Sequence, residues 1–129
     1  MEVIVNNIFS VSRDSFPQQA LSTFRYQYAE NKIYHEWVKA LNINIDEVTN
    51  FSKIPFLPVS FFKYHDVVTG TFEPEVIFTS SGTTGTVNSK HVVKHLGLYT
   101  RSFTEGFKHF YNDPGSWCII GLLPSYLER

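Results

Sequence analysis

The chain has 129 residues, 43% of them hydrophobic and 16% aromatic, with 11 Lys and Arg against 12 Asp and Glu for a formal net charge of -1. That length holds one domain or a piece of one and excludes a multidomain enzyme complete in this polypeptide, while the apolar, aromatic-rich composition excludes a disordered chain. Near-zero charge leaves no global field for nucleic acid or an anionic membrane, so any anion site must be local.

A single cysteine, Cys118, excludes an internal disulfide framework and a cysteine-based zinc cage, and suits a reducing cytosol. No segment approaches the roughly 18 apolar residues that span a bilayer, and the N-terminus lacks a basic stretch followed by an apolar one. The expectation is a soluble, cytoplasmic protein with no nucleic-acid and no membrane partner.

In chain order, Asp14-Ser15 is a helix-capping pair and Pro17 suits a first helical turn, so a helix starts there. Apolar residues at Leu21, Phe24, Tyr28, Tyr34, Trp37, Val38 and Leu41 recur at near-helical spacing, with Glu30-Asn31 as the break between two helices. Asn44 caps a short helix over 45–49. The run Ile54-Pro55-Phe56-Leu57-Pro58 must be extended, because each proline biases the residue before it away from helix, and Pro58 begins a helical turn through Phe61-Phe62-Lys63. Glu75-Val76-Ile77-Phe78 reads as a strand, and alternating Lys90-His91-Val92-Val93-Lys94-His95 as a second. Residues 96–111, with Leu98, Phe103, Phe107 and Phe110, read as a helix ended by Asn112-Asp113-Pro114-Gly115. The run Trp117-Cys118-Ile119-Ile120-Gly121-Leu122-Leu123 reads as a buried strand, which makes Cys118 an inert core thiol. The aromatic residues of both helical stretches are expected in the core.

Between the first two strands, Thr79, Ser80, Ser81, Thr83, Thr84 and Thr86 carry hydroxyls and are interrupted only by Gly82 and Gly85. A polyphosphate needs backbone N–H groups brought close, which glycine permits, and small donors without bulk, which Ser and Thr supply. The spacing fits neither the Walker A loop nor the dinucleotide G-x-G-x-x-G pattern. Composition leaves two readings open, a surface turn or an anion site. No acid falls between Glu75 and Glu105, whereas Lys90, Lys94, Arg101, His91 and His95 do. On a strand Lys90, Val92 and Lys94 share one face and His91, Val93 and His95 the other, so either set can meet a ligand or solvent. The two histidines are too far apart for easy chelation, with no carboxylate or cysteine beside them in the sequence.

The run Phe78-Thr79-Ser80-Ser81-Gly82-Thr83-Thr84-Gly85 resembles the phosphate-binding loop of the adenylate-forming superfamily, the acyl-CoA ligases and their relatives. More narrowly, four motifs occur in order: Phe24-Arg25-Tyr26-Gln27 with Asn31 and Tyr34, then Ile54-Pro55-Phe56-Leu57-Pro58-Val59-Ser60-Phe61-Phe62-Lys63, then the loop, then Leu122-Leu123-Pro124-Ser125-Tyr126-Leu127-Glu128-Arg129. Together they resemble the acyl-protein synthetase family of the bacterial luminescence fatty-acid reductase complex. The resemblance implies an α/β fold with N-terminal helices packed on part of a larger sheet, residues 1–129 being the incomplete N-terminal portion of an adenylate-forming enzyme. It implies an acid–thiol ligase, a long-chain-fatty-acid–protein ligase that uses ATP and Mg2+ to activate a fatty or other carboxylic acid as acyl-adenylate and passes the acyl group to a protein thiol. An acyl-protein reductase is the implied partner.

Ser80, Ser81, Gly82, Thr83, Thr84 and Gly85 match the family's loop residue by residue and would hold the β- and γ-phosphates. Lys90 stands for the loop lysine, although Thr86-Val87-Asn88-Ser89 intervene where the superfamily has a lysine soon after the last glycine. Both glycines are expected in backbone conformations poorly open to other residues. No catalytic residue is assigned, because the superfamily's adenine and magnesium sites, its hinge and the lysine of its C-terminal domain lie beyond the last motif, and this chain alone is expected to form no acyl-adenylate. Tyr126, Glu128 and Arg129 follow a strand end, where α/β folds place ligand contacts, and a disordered chain end fits these residues equally well. Two other functions fit the same residues: an aryl-acid or phenylacetate-type CoA ligase, and a non-catalytic self-associating module with the loop as an inert turn. Residues 75–78, 90–95 and 117–123, as pieces of a larger sheet, would leave edges open to a second copy, so a homo-oligomer is expected.

Overall fold

The structure is a computed structural model that describes residues 8–80 and 88–121. The chain forms two compact units, Met1–Leu96 and Gly97–Arg129. Helix α1 (Phe16–Glu30) opens the first where the sequence predicts, but by another device. Ser15 is itself in a helical conformation and its hydroxyl gives the helix no cap. Ser12 and Ser15 instead bond reciprocally, Ser12 N–H to Ser15 Oγ at 2.9 Å and Ser15 N–H to Ser12 Oγ at 3.2 Å, a capping box made of two serines. Pro17 sits in the first turn, where its missing N–H is not needed.

At Asn31 the backbone is extended (φ -107°, ψ 104°) and α1 stops. The Asn31 Oδ1 accepts the N–H of Tyr34 at 3.0 Å and caps α2 (Lys32–Ala40). Asn31 is 4% exposed, and its Nδ2 donates to Thr69 Oγ1 at 3.3 Å. The turn carrying Thr69 also closes α1, since Gly70 N–H donates to the Glu30 carbonyl at 2.9 Å. Gly70 has φ 74°, where a side chain would be strained. Helix α2 ends in a Schellman motif: Asn42, at φ 53°, donates its N–H to Lys39 O at 2.9 Å, and Ile43 N–H donates to Val38 O at 3.4 Å.

The two helices bury Phe24, Tyr34 and Val38 against Val48, and Leu21, Tyr28, Trp37, Ile43, Ile45, Ile54 and Leu57 pack around them. Phe24 and Tyr34 meet edge to face with centroids 6.1 Å apart. Where strands are expected to cover these helices, the irregular chain of residues 43–57 does so, and among the described residues no strand residue joins this core. The prolines make that possible. Pro55 and Pro58 have no N–H to satisfy, and the carbonyls of Pro55 and Phe56 accept from Tyr34 OH at 2.7 Å and Trp37 Nε1 at 3.1 Å. Burial pushes the Tyr34 phenol up to about 12, so it keeps its donor proton through the neutral range. Asn44 and Asn50 accept the N–H groups of Asp46 and Ser52, forming 3-10 turns at Ile45–Glu47 and Phe51–Lys53. The helix expected over 45–49 stops short because Val48 leaves helical geometry and turns into the core.

After α3 (Phe61–Tyr64), strands β1 (Val76–Thr79) and β2 (Lys90–Val93) pair antiparallel, with Val76 opposite Val93, Phe78 opposite His91 and Thr79 opposite Lys90. The fold of the described residues is thus mixed, helices with a small two-stranded antiparallel sheet. Strand β2 ends two residues before the expected boundary. Glu75 explains this: its Oε2 accepts the N–H of Leu96 at 2.7 Å and its Oε1 lies 3.5 Å from His95 Nδ1, turning the chain out of the sheet.

Helix α4 (Leu96–Tyr111) matches its predicted span and carries the chain into the second unit. Asn112, at φ 64°, ends it, and Asp113 opens a 3-10 turn at Pro114–Ser116. Two expectations fail here. No residue of α4 is buried, and Phe103 and Phe110, expected in a core, are 59% and 78% exposed. Residues 117–121 form no strand, and Trp117, Cys118, Ile119 and Ile120 are exposed, so Cys118 is not a core thiol. An apolar run becomes a buried strand only where a neighbour takes its N–H and C=O groups and covers its faces. Among the described residues none pairs with this one. No helix of the described residues is long and apolar enough to cross a membrane.

The junction at Asn31 yields a stability prediction. Asn31→Ala removes the α2 cap and leaves Tyr34 N–H unpaired in the interior, and should lower unfolding stability by about 2 kcal/mol, against less than about 1 kcal/mol for Asn50→Ala on the surface. Urea unfolding followed by far-ultraviolet circular dichroism checks the difference.

Candidate functional site

A cleft of about 440 Å3 lies at the loop side of the hairpin, lined by Val59, Phe62 and Phe78 and by Thr79, Ser80, Ser89, Lys90 and His91. The register makes this site, since pairing Thr79 with Lys90 brings the first loop hydroxyl beside the lysine that follows the loop. Ser80 and Ser89 fasten the two loop ends to each other. Ser80 N–H donates to Ser89 O at 3.0 Å, and Ser89 N–H donates to Ser80 Oγ at 2.9 Å. The Ser80 hydroxyl thereby acts as acceptor and retains its own proton to donate.

Lys90 Nζ lies 3.2 Å from Asp66 Oδ1, with the two side chains 55% and 67% exposed. A pair so exposed contributes about 0–1 kcal/mol, so an anion of higher charge can compete for the lysine. The stretch without acids in the sequence is therefore not without acids in space. Asp66, 24 residues before Lys90, reaches it, and Glu75 reaches His95, which has no carboxylate beside it in the sequence. Lys94 is drawn away from the cleft, its ammonium 5.6 Å from the centre of the Phe72 ring. Val93 is 6% exposed, whereas His91 on the same strand face is exposed at the cleft.

Of the residues assigned to phosphate, Ser80 and Lys90 thus meet at one cleft. Ser81, Gly82, Thr83, Thr84 and Gly85 lie outside the described residues, and with them the expected backbone of the two glycines; so do Tyr126, Glu128, Arg129 and the motif at 122–129. The donors present, the hydroxyls of Thr79, Ser80 and Ser89 and the Lys90 ammonium, suit phosphate oxygens. The described residues contain no group of three or more His, Cys, Asp or Glu that could hold a metal ion, so no magnesium ligand is assigned.

Sequence reasoning missed a second and larger cavity of about 560 Å3, between α1, the extended segment at 54–57 and Val67. No charged side chain among the described residues lines it. Its polar lining includes Gln27, Asn31 and Tyr34, and behind them Thr69 donates to Gln27 Oε1 at 2.6 Å. The signal was present only in motif residues to which no role was attached. Phe24, Gln27, Asn31 and Tyr34 of the first motif meet Ile54, Pro55, Phe56 and Leu57 of the second around this space. Thr69 carried no local signal at all.

No family model matches the chain, and neither the curated proteins nor the solved structures compared with it yield a match.

The Glu75 carboxyl is held below its ordinary range by the Leu96 N–H it accepts and, secondarily, by His95. A depressed folded-state value means that this stabilisation is complete above the unfolded carboxyl value, about 4.3, and is lost as pH falls through the lower folded one. Carbon-13 titration of the Glu75 side chain should give a midpoint below that unfolded value, and Glu75→Gln should flatten the pH dependence of stability in that acid window.

Proposed function

We propose that the chain is the N-terminal part of an ATP-dependent acyl-protein synthetase, whose complete form activates a fatty or other carboxylic acid as its adenylate and hands the acyl group to a protein thiol. The observation that supports this reading is the meeting of Ser80 and Lys90 at the mouth of the Ser/Thr/Gly loop. ATP bound there would supply the leaving pyrophosphate. The chain's own part is to bind and orient: the Ser80 hydroxyl, held by the Ser89 N–H, and the Ser89 hydroxyl offer donors, and Lys90 exchanges the Asp66 carboxylate for a phosphate oxygen.

The Lys90–Asp66 pair gives the reading a test with a sign. Pyrophosphate titrated into the chain should move the amide signals of Ser80, Ser89 and Lys90. Lys90→Ala should weaken binding about tenfold or more, the worth of a charge-assisted hydrogen bond. Asp66→Asn should tighten it severalfold, because the competing carboxylate is gone. Binding without shifts at these three amides, or no gain from Asp66→Asn, removes the support for the reading.

A second reading, a self-associating module, is favoured by the exposed Phe103, Phe110, Trp117, Ile119 and Ile120 of the second unit. It expects a dimer or larger species in sedimentation equilibrium at low micromolar concentration, shifted toward monomer by Ile120→Lys. A monomer at that concentration ends it.

A further inference from the structure

We propose that the larger cavity of the first unit binds a neutral alkyl carbonyl compound, its carbonyl oxygen accepting from Gln27 Nε2–H and its alkyl chain lying among Phe16, Ala20, Ile54 and Leu57. The volume, about 560 Å3, falls within the range of small-molecule sites, roughly 300–1,000 Å3. The described lining carries no Lys, Arg, His, Asp or Glu, its polar members being Gln19, Thr23, Gln27, Asn31 and Tyr34. An ionised carboxylate or an ammonium would give up water there with no opposite charge in return, so the occupant is neutral.

A chain of fixed hydrogen bonds decides which polar group the occupant brings. Asn31 Oδ1 is committed to the N–H of Tyr34, which turns Asn31 Nδ2 toward Thr69. Thr69 Oγ1 receives that N–H and gives its one proton to Gln27 Oε1 at 2.6 Å. Tyr34 OH is likewise committed, to the carbonyl of Pro55. Gln27 is left with its oxygen used and its two Nε2–H donors without an acceptor among the described residues. The polar end of the cavity is a donor looking for an oxygen. Gln19 and Thr23 continue the polar line along α1 at four-residue intervals, about 6 Å apart, while the opposite wall is apolar.

This inference stands apart from the acyl-activation reading, since an acid that is ionised at neutral pH is what the cavity disfavours. Isothermal titration of 2-nonanone and of nonanoate at pH 8 into the full chain tests it. The ketone should bind one to one and nonanoate at least about tenfold more weakly. Gln27→Glu keeps an oxygen for Thr69 but puts a second oxygen where the donors were, and should cost the ketone about tenfold in affinity with unchanged circular dichroism. Ala20→Phe, which fills the space, should abolish binding. No ketone binding, nonanoate binding as tightly as the ketone, or an unchanged affinity in folded Gln27→Glu would each overturn the proposal. The comparison of the two probes on the unaltered chain decides the matter even where a variant unfolds.

Discussion

The first unit depends on one buried side-chain amide. Asn31 stops α1, caps α2 and, through Thr69, joins the helix pair to the turn at 69–70 that closes α1 from outside. Aspartate could accept the Tyr34 N–H but could not donate to Thr69, and serine lacks the reach to do both. Because both ends of the amide are engaged in the interior, its orientation is fixed, and fixing it sets the direction of every hydrogen bond beyond it as far as Gln27. A capping interaction, local in sequence, thereby determines the polarity of a cavity wall.

Elements whose causes are local were legible. The break at Glu30-Asn31, the extended run between Pro55 and Pro58, and the whole of α4 follow from caps, prolines and helical spacing within a few residues. The two strands were also placed, because a β-rich run in the first and alternation in the second need only the segment itself. What covered the helices was not legible. Residues 43–57 look like a loop and behave as the missing layer of a core, since their carbonyls find Tyr34 and Trp37, three residues apart on α2, rather than a ladder.

The site was legible only in part, for the same reason. Ser80 and Lys90 were named from the loop and its charge surroundings, and the hairpin register brings them together. Asp66 was invisible because an ion pair formed across 24 residues leaves no pattern along the chain. The second unit shows the converse error: Trp117, Ile119 and Ile120 are as apolar as any strand, yet composition specifies a preference for burial and not the surface that satisfies it.

The two cavities share a wall, for Phe62 of α3 lines both. Helix α3 is a single turn, tied to α2 by the edge-to-face contact of Phe61 with Trp37 at 5.3 Å. A change at Phe62 therefore alters the apolar cavity and the loop-side cleft together and cannot assign a ligand to either. Gln27 lines only the first and Lys90 only the second, and neither contributes to the core cluster. The cavities are thus separable by chemistry, one an uncharged donor in an apolar wall and the other a cation among hydroxyls, at the two positions where the packing between them is left intact.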